Sequence, residues 1–160
     1  MKIGIGVERP KLVLYIQNRP PLEYFSDLNS YRCADKNEIC EIINQCGNHW
    51  RKIFSIFAKL AFATTHHECN RWQEYRDNIL LTENGHEAII FQNELQNFHP
   101  GTHHIICGKT FFDEFNFEDD DFSILDQSSK VKYKDRILLT PYLDYRQFSN
   151  KLVEEVVEYI

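Results

Sequence analysis

The chain has 160 residues, 42% hydrophobic and 26% charged, the composition of one globular domain able to bury a core and not of a disordered segment. A net charge of -6 excludes a global field that would draw it to nucleic acid or anionic lipid, so any phosphate recognition has to be local. No apolar run approaches the ~18 residues of a membrane span, and the opening MKIGIGVERPKLV lacks the apolar core of a signal peptide.

Met1 to Val7 alternates Ile3, Ile5 and Val7 with Lys2, Gly4 and Gly6, the pattern of a first strand weakened by two glycines. After Pro10, the run Lys11 to Ile16 is continuously apolar from Leu12, as in a strand buried on both faces. Pro20 and Pro21 end it and leave Gln17, Asn18 and Arg19 at its tip. A helix follows, with Asp35 and Glu38 at capping-box spacing, a stripe of Ile39, Cys40, Ile42, Ile43 and Cys46, and Gly47 as its stop. Asn48 is placed to cap a longer apolar helix to about Ala63, and Asn70 to about Leu81 has helical spacing through Trp72, Tyr75, Ile79 and Leu80.

Shorter units come next. His86 to Phe91 reads as a strand, Gln92 to Phe98 as one or two helical turns, His103 to Cys107 as a strand, and Lys109 to Phe115 as a short helix or turn. Asn116 to Asp121 is an acidic loop, and Lys130, Lys132 and Lys134 alternate as in an exposed edge strand. Ile137 to Leu139 is a last buried strand, ending at Thr140-Pro141. The closing helix has Ser149 as N-cap, Phe148 and Val153 spaced as a hydrophobic staple, and Leu152, Val153, Val156, Val157 and Ile160 on one face. Strands separated by helical segments predict one three-layer α/β/α domain over residues 1–160 with a mostly parallel central sheet.

Three of the strands end in polar loops, and parallel strands would bring those loops to one carboxyl edge, where open α/β sheets bind ligands. Each loop carries one cation: Arg19, Lys109 and Arg146. Their convergence would make a local anion site, with Asn18, Tyr142 and Tyr145 to orient or stack on a base. Asp144 is the one attractive general-base candidate among these loops, so the catalytic candidates are Asn18 and Asp144.

Other motifs carry less. Gly108-Lys109-Thr110 fails as a phosphate loop because GxxxxGK[ST] needs a glycine where His103 stands. His66-His67-Glu68-Cys69 and His103 to Cys107 match no structural zinc spacing, and His103 and His104 would point to opposite faces of a strand. No metal site and no cofactor are predicted. Five cysteines, an odd number without a CxxC pair, read as reduced thiols in a cytoplasmic protein. Phe111, Phe112, Phe115, Phe117 and Phe122 beside acidic residues would serve either as core or as a contact between subunits in a homo-oligomer.

The order of loops resembles the uracil-DNA glycosylase superfamily. Ile16-Gln17-Asn18-Arg19-Pro20 would correspond to the loop that positions the attacking water there, with Asn18 in that role. Thr140-Pro141 before the last helix would correspond to its His-Pro-Ser motif. Thr140 stands where the family has the histidine that stabilises the leaving base, and net acidity disfavours duplex DNA. The resemblance implies a catalytically degenerate relative that binds a nucleotide or nucleobase. The chain as a whole also resembles small bacterial proteins of families of unknown function. The competing expectation is an interaction or structural module without ligand chemistry.

Overall fold

The apolar runs become the middle of one mixed sheet. In a computed structural model, which describes residues 1–160, the elements are β1 (Gly4–Gly6), β2 (Leu12–Tyr15), α1 (Glu23–Ser26), β3 (Tyr31–Arg32), α2 (Glu38–Cys46), α3 (Asn48–Thr64) and α4 (Trp72–Asn78). They continue with β4 (Glu87–Ile90), β5 (His103–Cys107), α5 (Lys109–Asp113), β6 (Ser123–Ile124), β7 (Lys132–Lys134), β8 (Ile137–Thr140) and α6 (Asn150–Tyr159). The strand order is β3-β1-β4-β2-β5-β8-β7-β6. The four central strands β4, β2, β5 and β8 are mutually parallel, with Leu14 opposite Ile89 and Ile105, and Ile105 opposite Leu138. The fold is α/β with a mostly parallel sheet.

Side chains alternate across these strands, so each one feeds two cores. Leu12, Leu14 and Ile16 pack with Ile105 and Leu138 under the helix layer, against Phe54, Phe57 and Leu60 of α3 and Leu152 and Val156 of α6. Val13, Tyr15, Ile90, Ile106 and Leu139 face the other way, where Phe111 and Phe112 of α5 and Phe122 cover them. Phe117 stacks on Phe112 and Phe115, so the phenylalanine run is a packed aromatic layer and not an exposed patch. This second layer is thin because α5 has only five residues.

Ser149 caps α6 as its spacing requires, its hydroxyl accepting the Leu152 N–H at 3.3 Å. Half of the capping box on α2 forms, the Glu38 carboxylate accepting the Asp35 N–H at 2.8 Å. Gly47 stops α2 with φ 79°, while Asn48 lies inside α3 and does not cap it. The glycines that weaken β1 are required by it: a Cβ on Gly4 or Gly6 would run into the backbone of β4.

Two expectations are corrected. Gln92 to Phe98 forms no helical turn, because its polar groups are tied elsewhere in the sheet layer: the Gln92 side chain accepts the N–H of Ile3, just before β1, at 2.7 Å, and the Gln96 N–H donates to the hydroxyl of Tyr15 in β2 at 3.1 Å. The lysine-bearing β7 is not the edge, since β6 pairs outside it through Ser123 and Ile124. No helix is long and apolar enough to cross a membrane.

Candidate functional site

Strands β2, β5 and β8 are neighbours and parallel, so the loops after Tyr15, Cys107 and Thr140 meet at one carboxyl edge. The chain leaves β2 for the four-helix stretch that leads to β4, and leaves β5 for α5 on the opposite face. The carboxyl ends of β2 and β5 therefore flank the crevice of a topological switch point, where open α/β sheets take ligands.

Tyr142 is the hub of that edge. Its hydroxyl accepts from Asn18 Nδ2 at 3.1 Å and lies 3.0 Å from His49 Nε2 at the start of α3. Asn18 is a donor there, so the phenol proton is free to go to His49, and three elements distant in sequence form one chain of hydrogen bonds. Burial pushes the Tyr142 hydroxyl up to about 12, so it stays protonated. Cys107, beneath it, is likewise pushed up to about 12 by burial and is no nucleophile at neutral pH.

Beside Tyr142 opens a cleft of about 350 Å³, lined among others by Lys109, Lys130, Lys132, Thr140 and Gln147. A second cleft of about 290 Å³ shares Lys130, Pro141 and Gln147 with it and adds Arg146. Lys109 is ion-paired to Asp113 and to Asp119 at 3.3 Å, and those partners raise its pKa. No carboxylate lies within ion-pair distance of Lys130 or Lys132. Arg146 is 86% exposed and only loosely paired to Asp144, at 3.6 Å.

Of the residues predicted from sequence, Asn18, Tyr142, Lys109 and Arg146 reach this edge. Arg19 does not serve it. Its guanidinium donates to the carbonyls of Phe25 at 2.8 Å, Ser26 at 3.3 Å and Leu28 at 2.9 Å, holding the end of α1, and lies over the Phe91 ring. Asp144 works as a loop anchor. Its carboxylate accepts the Arg146 N–H at 3.0 Å and pairs with Lys52 at 3.3 Å, and both interactions hold its pKa below the ordinary value. A carboxylate so held has little proton affinity at neutral pH, which is unsuited to a general base. Tyr145 is 43% exposed, with Lys59 over its ring. Thr140 is buried, and its hydroxyl donates to the Pro141 carbonyl at 3.0 Å, so it does not face the cleft as a donor.

Sequence reasoning missed Lys130, Lys132 and His49. The signal for the lysines was the two-residue turn Asp135-Arg136, which folds β7 back on β8 with Lys132 opposite Leu139. That hairpin carries the start of KVKYK to the carboxyl end of β8. His49 had no such signal, because only the packing of α3 brings its first turn over Tyr142.

The histidines divide as their spacing requires. His103 borders Arg136 and Tyr159 on the helix side, while His104 meets Tyr15 on the aromatic side. His67 spends both ring nitrogens locally, accepting the Cys69 N–H and donating to the Phe62 carbonyl.

Fold and site together define an α/β domain with a small cationic cleft at the carboxyl edge of a mostly parallel sheet. Over residues 3–160 the chain belongs to a family of unknown function, DUF6942. No curated protein and no solved structure matches it.

Proposed function

We propose that this domain binds a small anionic ligand of the nucleotide or nucleobase type in the carboxyl-edge cleft. The observation that carries the reading is the pair of unneutralised lysines, Lys130 and Lys132, with Lys109 beside them in one cleft and Arg146 in the adjoining one, on a chain whose net charge is -6. Cations gathered against the overall charge supply local attraction for phosphate or carboxylate oxygens. Tyr142 lines the cleft and offers an aromatic face for a base, with Asn18 holding its hydroxyl from the loop after β2. The resemblance to uracil-DNA glycosylases, carried by Ile16 to Pro20 and Thr140-Pro141, draws support from their meeting at the same edge. The buried Thr140 hydroxyl and the low proton affinity of Asp144 favour binding over base excision.

A thermal-shift screen against nucleoside monophosphates, nucleobases and inorganic phosphate tests this. A ligand at ~100 times its Kd stabilises by about 2.7 kcal/mol, which a domain of this size reports clearly. A shift that Lys132→Ala removes and Arg19→Ala leaves in place is expected. No shift with any of these ligands, from folded protein, overturns the reading.

A further inference from the structure

We propose a second binding site at the opposite, amino edge of the sheet, between the starts of β5 and β8, that takes a small monocarboxylate with an apolar body. A cleft of about 400 Å³ there is lined by His104 and Arg136 and walled by Leu95, Phe98 and Ile137. This volume falls in the range of small-molecule sites. None of its residues lines the carboxyl-edge cleft, and His104 lies four strand residues, roughly 13 Å, from Gly108 at that other site.

The polarity of the site follows from the hydrogen bonds beneath it. The fully buried Tyr15 hydroxyl accepts the Gln96 N–H at 3.1 Å and has no other acceptor for its own proton than His104 Nδ1, 2.8 Å away, so the proton goes there. The His104 ring then carries its own proton on Nε2. Nε2 has no hydrogen-bond partner within the protein, yet no buried side-chain nitrogen or oxygen lacks a partner, so Nε2–H is at the surface of the cleft. Burial also lowers the His104 pKa to about 4, which keeps the ring neutral across neutral pH. A fully buried tyrosine thus fixes an outward-facing N–H donor.

Arg136 supplies the charge. Its Nη1 is shared between the Gly101 carbonyl at 3.2 Å and the His103 ring at 3.4 Å, and no carboxylate pairs with it. Nε and Nη2 are left to bind oxygen. An oxyanion that accepts from both Arg136 and His104 satisfies a charge and a donor that the fold leaves open. Asp135 stands on the same rim and offsets part of the Arg136 charge, so the site has little net attraction for a dianion and relies on the paired donors that suit a monocarboxylate. Leu95, 36% exposed, and Phe98 would cover the apolar body of such a ligand.

The test follows backbone amide resonances of the isotope-labelled full chain during titration with benzoate, benzamide and inorganic phosphate. Benzoate should shift the amides of residues 95–104 and 135–137, and benzamide, its neutral isostere, should bind about tenfold more weakly or less, as should phosphate. Arg136→Gln, at an exposed position that tolerates change, should remove the benzoate response. His104→Phe loses the donor, together with the acceptor of the Tyr15 proton, and should weaken it in a chain that a circular-dichroism spectrum shows to be folded. Shifts confined to the Lys130 and Lys132 cleft, an unchanged response in Arg136→Gln, phosphate binding as tightly as benzoate, or no localised shift would each overturn the proposal.

Discussion

Glu87, at the start of β4, is the one carboxylate buried to 0% exposure, and its ionisation should be visible in the stability of the fold. It accepts from the Leu81 N–H at 3.1 Å and the His86 N–H at 2.9 Å, and so pins the loop in which Leu81 has φ 65°; the Tyr75 hydroxyl donates to it when it is ionised and accepts its proton when it is not. Burial nevertheless outweighs these donors and raises its pKa from 4.5 to about 7. The folded chain therefore holds this proton up to about pH 7, while the unfolded chain releases it near 4.5. Between those values the folded state binds more protons, and the Glu87 contribution to stability falls as pH rises. At ~1.4 kcal/mol per tenfold in proton affinity the loss is about 3 kcal/mol. His104 acts oppositely: with its pKa lowered from 6.5 to about 4, its contribution rises with pH over that window. The two largely cancel in the wild type, so the difference between wild type and Glu87→Gln isolates the carboxyl group. Urea unfolding followed by the fluorescence of Trp50 and Trp72 from pH 4.5 to 8 measures it. The stability of wild type relative to Glu87→Gln should fall by about 3 kcal/mol across this range. A flat difference, or one that rises with pH, would show that the three donors and not burial control the group, and would refute the reasoning.

Three further outcomes are expected from the packing. Arg19→Ala removes three charge-assisted bonds to carbonyls and should cost roughly 1.5–3 kcal/mol in urea unfolding, without touching ligand binding. Glu38, paired with Arg32 at 2.8 Å and held below its ordinary pKa by Arg32 and the Asp35 N–H against the effect of burial, should contribute stability that is present above pH 4.5 and lost as pH falls further. Glu38→Gln should flatten that acid limb. Ser149→Ala should destabilise by about 1 kcal/mol through loss of the α6 cap, read as a lower urea midpoint with an unchanged slope.

How much of this was legible in the sequence depends on the range of the interaction. Leu12 to Tyr15, Ile105 to Cys107 and Ile137 to Leu139 are apolar without alternation because both faces of the central sheet are covered, and that buried pattern is local. The stripes of α2, α3 and α6 are local too. Gln92 to Phe98 misled because its fate is set by Ile3 and Tyr15, some 80 or more residues away. Strands β3 and β6 have two residues each, too few for any period to register. At the site, Asn18 and Tyr142 were placed by strand order alone. Arg19 was lost to the carbonyls of a short helix that folds back on it. Lys130 and Lys132 were hidden because a strand of alternating lysines looks like a protected edge, and β6 takes the edge from them.

Calorimetric titration of the full chain with nucleoside monophosphates, at low and at raised salt, addresses the carboxyl-edge cleft most directly. Saturable binding that weakens with salt, is lost in Lys130→Ala and Lys132→Ala and persists in Arg19→Ala is the expected result. Absence of binding, or binding indifferent to both lysines, would contradict a ligand site at this edge.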